Sequence, residues 1–236
     1  LKHCDSIVTQ TEGFHFHGLS IGPQERDKAQ ERLALLRKAY DLATQSKQTG
    51  LEAMVANSLA GALSGGKDDA RAEAKELYLR SLELKENQEI KDVKGIAMTH
   101  GGLGFFSFFG KPQDLESARF HFEKDLELAT QINGEIGMSK MNSMLSQIDI
   151  IEAKIDSAIK RSIVVLNLDN NPFDVGKALE ALCNIAKITL PDDFNPMEVD
   201  VCNYLQKLLK AFSKHKNIDL KNAVSDIEAL LKDRCD

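Results

Sequence analysis

The chain repeats itself at a period longer than one helix and shorter than a domain. Leu59-Ala60, Leu103-Gly104, Leu145-Ser146 and Ile185-Ala186 fall in one register, 44, 42 and 40 residues apart. Downstream of the first three, a small residue opens the next segment at Ala74, Ala118 and Ala158. Seven residues beyond each comes a matched ending: Ser81-Leu82-Glu83-Leu84, Asp125-Leu126-Glu127-Leu128 and Val165-Leu166-Asn167-Leu168. Tyr40-Asp41-Leu42 supplies the same ending to an earlier segment, 17 residues before Leu59, as Leu128 precedes Leu145 by 17. Such a period implies two-helix units that cannot bury their apolar faces alone and must stack. The alanine marks where two helices cross closely, and the leucine pair packs on the following unit.

Within the units, apolar residues recur at helical spacing from Pro23 onward. Residues that tolerate positive φ, or cannot continue a helix, interrupt them at Thr49-Gly50, Ser64 to Asp68, Gly110-Lys111-Pro112, Asn133-Gly134, Asn170-Asn171-Pro172 and Pro191 to Pro196. Helices are expected over 24–48, 51–63, 69–88, 92–109, 114–132, 136–152, 155–168, 174–189, 197–214 and 218–233. Pro23 suits a helix first turn, where its missing N–H costs nothing. No alternating strand pattern follows residue 23, so the expected class is all-α.

Asn57-Ser58-Leu59-Ala60-Gly61 with Ala74 and Leu82-Glu83-Leu84 resembles the tetratricopeptide repeat pattern. So does Gly102-Leu103-Gly104-Phe105-Phe106 with Ala118 and Leu126-Glu127-Leu128. The units are longer than the usual 34 residues, and they lack both the large aromatic that starts the first helix and the proline that follows each pair. The resemblance implies a right-handed α-solenoid of antiparallel helix pairs over residues 23–190, with a helical pair over 191–236 capping it and residues 1–22 as an N-terminal arm. It implies a scaffold or adaptor holding a peptide or partner helix in a concave groove lined by the first helix of each pair. The groove residues carried over are Met54, Asn57, Ser58 and Gly61, then Met98, Gly101, Phe105 and Phe108. Lys140, Ser143, Met144 and Gln147 follow, then Glu180, Asn184 and Lys187. Methionine and phenylalanine make an adaptable apolar surface, and Asn and Gln can pair with a ligand backbone. Met98 and Met144 serve a core equally well. No enzyme activity, cofactor or metal follows from the resemblance. Two alternatives stand beside it: the peptide-sensing domain of a larger regulator, and a helical enzyme.

Charge and cysteine usage narrow the partners. The formal net charge of −6 argues against nucleic acid, whose binders carry a basic stripe. Lys207, Lys210, Lys214 and Lys216 fit one solvated helix face. Cys4, Cys183, Cys202 and Cys235 are scattered without a paired motif. They read as reduced thiols of a cytoplasmic protein, with Cys183 and Cys202 in the core. No apolar run reaches the length of a membrane span.

Several short motifs resemble sites. Gly61 to Lys67 has phosphate-loop spacing, but a helix precedes it and Asp68 replaces the metal-binding hydroxyl. It reads as an inter-helix turn. Gly18-Leu19-Ser20-Ile21-Gly22 and His100-Gly101-Gly102-Leu103-Gly104 match hydrolase elements that need a sheet this chain lacks. His3, Cys4, His15 and His17 cluster in the one segment that is not obviously helical, where an extended His15-Phe16-His17 would present both imidazoles on one side. A metal, an arm packed through Phe14 and Phe16, and disorder are the three readings there. Asp68-Asp69 and Asp192-Asp193 read as acidic helix starts.

Overall fold

A computed structural model describes residues 6–87, 91–168, 171–214 and 218–235, with side chains of 218–222 outside that description. Among the described residues there are eleven α-helices and no strand, so the fold is all-α. They form two compact units, Leu1–His121 and Phe122–Asp236.

The first unit opens on α1 (Ile7–Ser20), which corrects the extended reading of this segment. The Ser6 side chain accepts from the Thr9 N–H and caps the helix. Thr11, His15 and Gly18 then share one buried stripe at four- and three-residue spacing. On a helix His15 and His17 point apart; His15 is buried and His17 exposed. Phe14 packs beside Ala39, Ala43, Leu51 and Val55, whereas Phe16 faces out. His3 and Cys4 lie outside the described residues.

Next comes α2 (Ala29–Ser46), preceded by a 3-10 turn at Arg26–Lys28. Pro23 is therefore ahead of the helix rather than in its first turn, because Gly22 and Glu25 fold on each other: Glu25 N–H donates to the Gly22 carbonyl, and Gly22 N–H to the Glu25 carboxylate. The break before α3 (Thr49–Leu63) is carried by Lys47, at φ 56°, not by Thr49-Gly50, which enter the first turn of the helix. The turn Ser64–Lys67 leads to α4 (Asp68–Glu86), whose first turn holds Asp68 and Asp69 as expected. The next helix, α5 (Val93–Phe108), is capped by Asp92. Leu36, Leu59, Leu63, Ala74, Leu77, Tyr78 and Leu103 make the core.

Helix α6 (Leu115–Gln131) carries residues of both units. The second unit continues with α7 (Glu135–Ile151), α8 (Ile155–Leu168), α9 (Pro172–Ile185), α10 (Val201–Phe212) and α11 (Ile218–Arg234). Pro172 opens α9 instead of lying in the break before it: Asn171 caps the helix, and proline at the first position loses no hydrogen bond. Asp192 and Asp193 sit in irregular chain well ahead of α10; Asp200 caps that helix by accepting from Asn203 N–H. Helices α6, α7 and α9 end in left-handed residues Asn133, Ala153 and Lys187. After each, the next N–H reaches back to the last turn: Gly134 to Ala129, Lys154 to Asp149 and Ile188 to Cys183. The core gathers Ile159, Leu166, Leu179, Leu182, Leu205, Leu208 and Phe212, with Ile227 and Leu230 from α11.

The alanines read as close crossings, Ala74, Ala118 and Ala158, are all fully buried. The reading of all cysteines as reduced thiols fails, because Cys202 and Cys235 form a disulfide. Neither position has a near neighbour in sequence; the packing of α11 on α8 and α10 brings them together. The premise for a cytoplasmic location goes with it. Cys183 is free and buried. No helix among the described residues is long and apolar enough to cross a membrane. Lys207 and Lys210 are exposed on α10 and Lys214 is exposed in the turn after it, with Lys207 lying over the Tyr204 ring, while Lys216 lies outside the described residues.

Candidate functional site

The C-terminal ends of α3 and α5 and the start of α4 enclose a hollow of about 510 Å³ in the first unit. Its walls are Phe105, Phe106 and Phe109; Gly61 and the Ser64–Gly66 turn form one side, with Asp68, Arg71 and Lys111 beside them. The Tyr78 ring also lines it, under two glycines. A Cβ at Gly102 would come within 2.5 Å of that ring, and one at Gly61 within 3.5 Å of the Tyr78 hydroxyl. Glycine at 102 is therefore what lets α5 lie this close to α4. Phe105 and Phe109, one turn apart, stack with ring centroids 6.2 Å apart.

Arg71 fixes the mouth. Its Nη1 donates to the Ser64 carbonyl at 2.6 Å and its Nη2 to the Phe106 carbonyl at 3.0 Å. Both acceptors stand near helix C-terminal ends, where carbonyls lose their intrahelical partners and attract cations. The guanidinium also lies over the Phe106 ring, 4.3 Å from its centroid. Arg71 and Phe106 line a second, smaller hollow with Lys75, Asp114, Ser117 and His121.

The expected groove residues are distributed as follows. Gly61 and Phe105 line the large hollow. Met54 and Met98 are exposed, and so are Lys140, Asn184 and Lys187. Gly101, Phe108, Ser143 and Met144 are buried inside their units. Phe108 meets Phe109 edge-on at 5.0 Å. Ser58 is half-buried and bonded to His15 Nε2 at 2.9 Å, so α1 lies over this part of α3. Its hydroxyl donates to the Met54 carbonyl, which leaves the imidazole N–H as donor. Burial lowers the His15 pKa. Asn57 is half-buried with its Oδ1 enclosed, Gln147 touches the Met144 sulfur, and Glu180 pairs with Lys177.

Sequence reasoning missed Arg71, Tyr78 and Lys111. A signal for the first two existed: Arg71, Ala74 and Tyr78 occupy one face of α4 at three- and four-residue spacing. Nothing local announces that this face meets two helix ends.

The strongly shifted ionisable groups lie at separate helix interfaces rather than around the large hollow. Lys85 is buried, donating to the Gly95 carbonyl and the Thr99 hydroxyl, and desolvation lowers its pKa to about 8 against a weaker opposing pull from Asp92. His100 and His121 face each other with Nδ1 atoms 2.9 Å apart. Desolvation, then the charge of His100, bring His121 down to about 4. Asp125 is pushed up to about 7 by burial, opposed by Lys140. Asp149 is buried but compensated by Arg161, whose Nε donates to it at 3.0 Å. No protein-family model matches the chain, and no match is found among curated proteins.

Proposed function

We propose that the chain is a solenoid of tetratricopeptide-like helix pairs that works by holding a peptide or partner helix, not by catalysis. The observation that carries this reading is the aromatic hollow at the ends of α3 and α5, preformed and apolar with a few fixed polar groups. Its supports are structural. Helices joined by short turns pack as successive pairs, α3 on α4 and α7 on α8. The first helices also touch one another within a unit: α1 meets α3 through His15 and Ser58, and α7 meets α9. This is the arrangement that gives stacked repeats a continuous inner face. Met54, Met98 and the half-buried Phe105 offer apolar contact area on that face in the first unit. Catalysis is disfavoured because the strongly shifted groups Lys85, His121 and Asp125 do not line this hollow, and Tyr78, which does, is raised by burial and so stays a neutral phenol.

Selection of random twelve-residue peptides on the full chain, followed by photo-crosslinking, tests the reading. Crosslinks are expected on α3, α5, α7 and α9. An empty selection, or crosslinks confined to α4 and α8, would remove it. Phe105→Ala is expected to weaken the selected peptides tenfold or more while leaving helicity unchanged, since aromatic anchors carry a large share of interface energy.

A further inference from the structure

We propose that the large hollow takes an aromatic side chain of the bound peptide, and that an acidic side chain next to it in the peptide pairs with Arg71 and Lys111. This deepens the peptide-binding reading and rests on it. The aromatic half follows from the walls. Phe109 is 66% exposed, and Phe105 and Phe106 are only half-buried, so the site presents ring surface in one place. Ring faces and edges of this kind pair favourably with another ring beyond simple area burial.

The acidic half follows from Arg71. A guanidinium has five N–H donors, and the two carbonyl contacts of Arg71 occupy only part of them. Among the described residues no carboxylate pairs with Arg71 or with Lys111, although Arg37, Arg80 and Arg161 all have carboxylate partners. Arg71 is also held still by two acceptors and a ring face, so little side-chain entropy is lost when it binds an anion. Asp68 is the single carboxylate of the lining. It belongs to the first turn of α4, where its charge complements the free N–H groups of that turn. The site therefore keeps an uncompensated positive charge beside an apolar chamber. That combination selects an aromatic residue adjacent to an aspartate or glutamate.

The test is titration of the full chain, followed by backbone NMR shifts, with three blocked dipeptides: acetyl-Phe-Asp-amide, acetyl-Phe-Asn-amide and acetyl-Ala-Asp-amide. The Phe-Asp probe is expected to bind at least fivefold tighter than either control and to shift Gly61, Gly65, Gly102 and Phe109. Lys111→Gln should weaken its binding and narrow the preference over the Phe-Asn probe, with Arg71 supplying the part that remains. Gly61→Leu should abolish it by filling the hollow. That variant is compatible with the fold, because a Cβ at this position meets only the Tyr78 hydroxyl at ordinary contact distance and leucine favours the helix. Equal binding of the Phe-Asp and Phe-Asn probes overturns the proposal, as does undiminished binding to Gly61→Leu, or the absence of shifts at the hollow. Library-selected peptides that bind both variants normally would sink this proposal and leave the peptide-binding reading standing. An empty selection would sink the reading itself.

Discussion

Comparing wild type with Lys85→Met between about pH 7 and pH 10.5 measures what a buried ammonium does to this fold. Lys85 on α4 is covered by α5 at 5% exposure, and among the described residues its amine meets only the Gly95 carbonyl and the Thr99 hydroxyl. Its pKa falls from 10.5 to about 8 on folding. Below about pH 8 the amine is charged in both states, and above 10.5 it is neutral in both. Between them the unfolded chain holds a proton that the folded chain has released, so stability rises with pH across that window. The full displacement corresponds to about 3 kcal/mol, and screening by nearby solvent reduces this to about 2 kcal/mol. Cys183 acts oppositely: burial raises its thiol to about 11, so its contribution is lost as pH rises through that range. Tyr40 and Tyr78, also raised by burial, act in the same direction as Cys183. Subtracting the Lys85→Met curve removes all three. Methionine fills the same channel without a charge, and the Gly95 carbonyl keeps the Thr99 hydroxyl as donor. Urea unfolding followed by circular dichroism at a series of pH values should therefore show wild type gaining about 2 kcal/mol on the variant between neutral and alkaline pH. A difference independent of pH would refute the reasoning and show that the amine is solvated in the folded state.

Three further substitutions have defined outcomes. Ala118→Glu places a charge at a fully buried position. It should cost about 3 kcal/mol or more, read as a lowered thermal midpoint; an unchanged midpoint would show that the position is free. Ala153→Gly relieves a left-handed alanine at φ 58° and should stabilise by about 0.5–1 kcal/mol, measured by the urea midpoint. Cys235→Ser opens a loop spanning 33 residues and should cost about 3 kcal/mol. Adding dithiothreitol should lower the wild type to the level of the variant and leave the variant itself unmoved.

Most helices were legible because each carries its own signals. The α6–α7 and α7–α8 turns fall where the sequence places them; Asn133-Gly134 in particular combines a residue tolerant of positive φ with glycine. Helix α1 was harder to see, since its buried stripe consists of Thr11, His15 and Gly18 instead of large aliphatic residues. Only a neighbour could make such a stripe worth burying: Gly18 lies against Leu36, and His15 finds Ser58. Phe105 and Phe108 show the same limit inside one helix. Both looked available for a groove, yet Phe108 is buried while Phe105 remains half-open.

By itself the sequence determined the class of the protein: helix-period apolar patterning, turn residues between segments, and a recurring small residue that turns out to be buried at Ala74, Ala118 and Ala158. These are local or periodic features, set by backbone geometry and side-chain size within a turn or two of the chain. The tertiary structure alone decided which side chains share a site. Arg71 became a fixed cation because α3 and α5 end on either side of it, and Lys85 became a weak base because α5 closes over it. Cys202 found Cys235 because α11 folds back on α10. Each outcome depends on residues far apart in the chain meeting at one place, where desolvation and hydrogen-bond competition are set by the neighbours rather than by the residue itself.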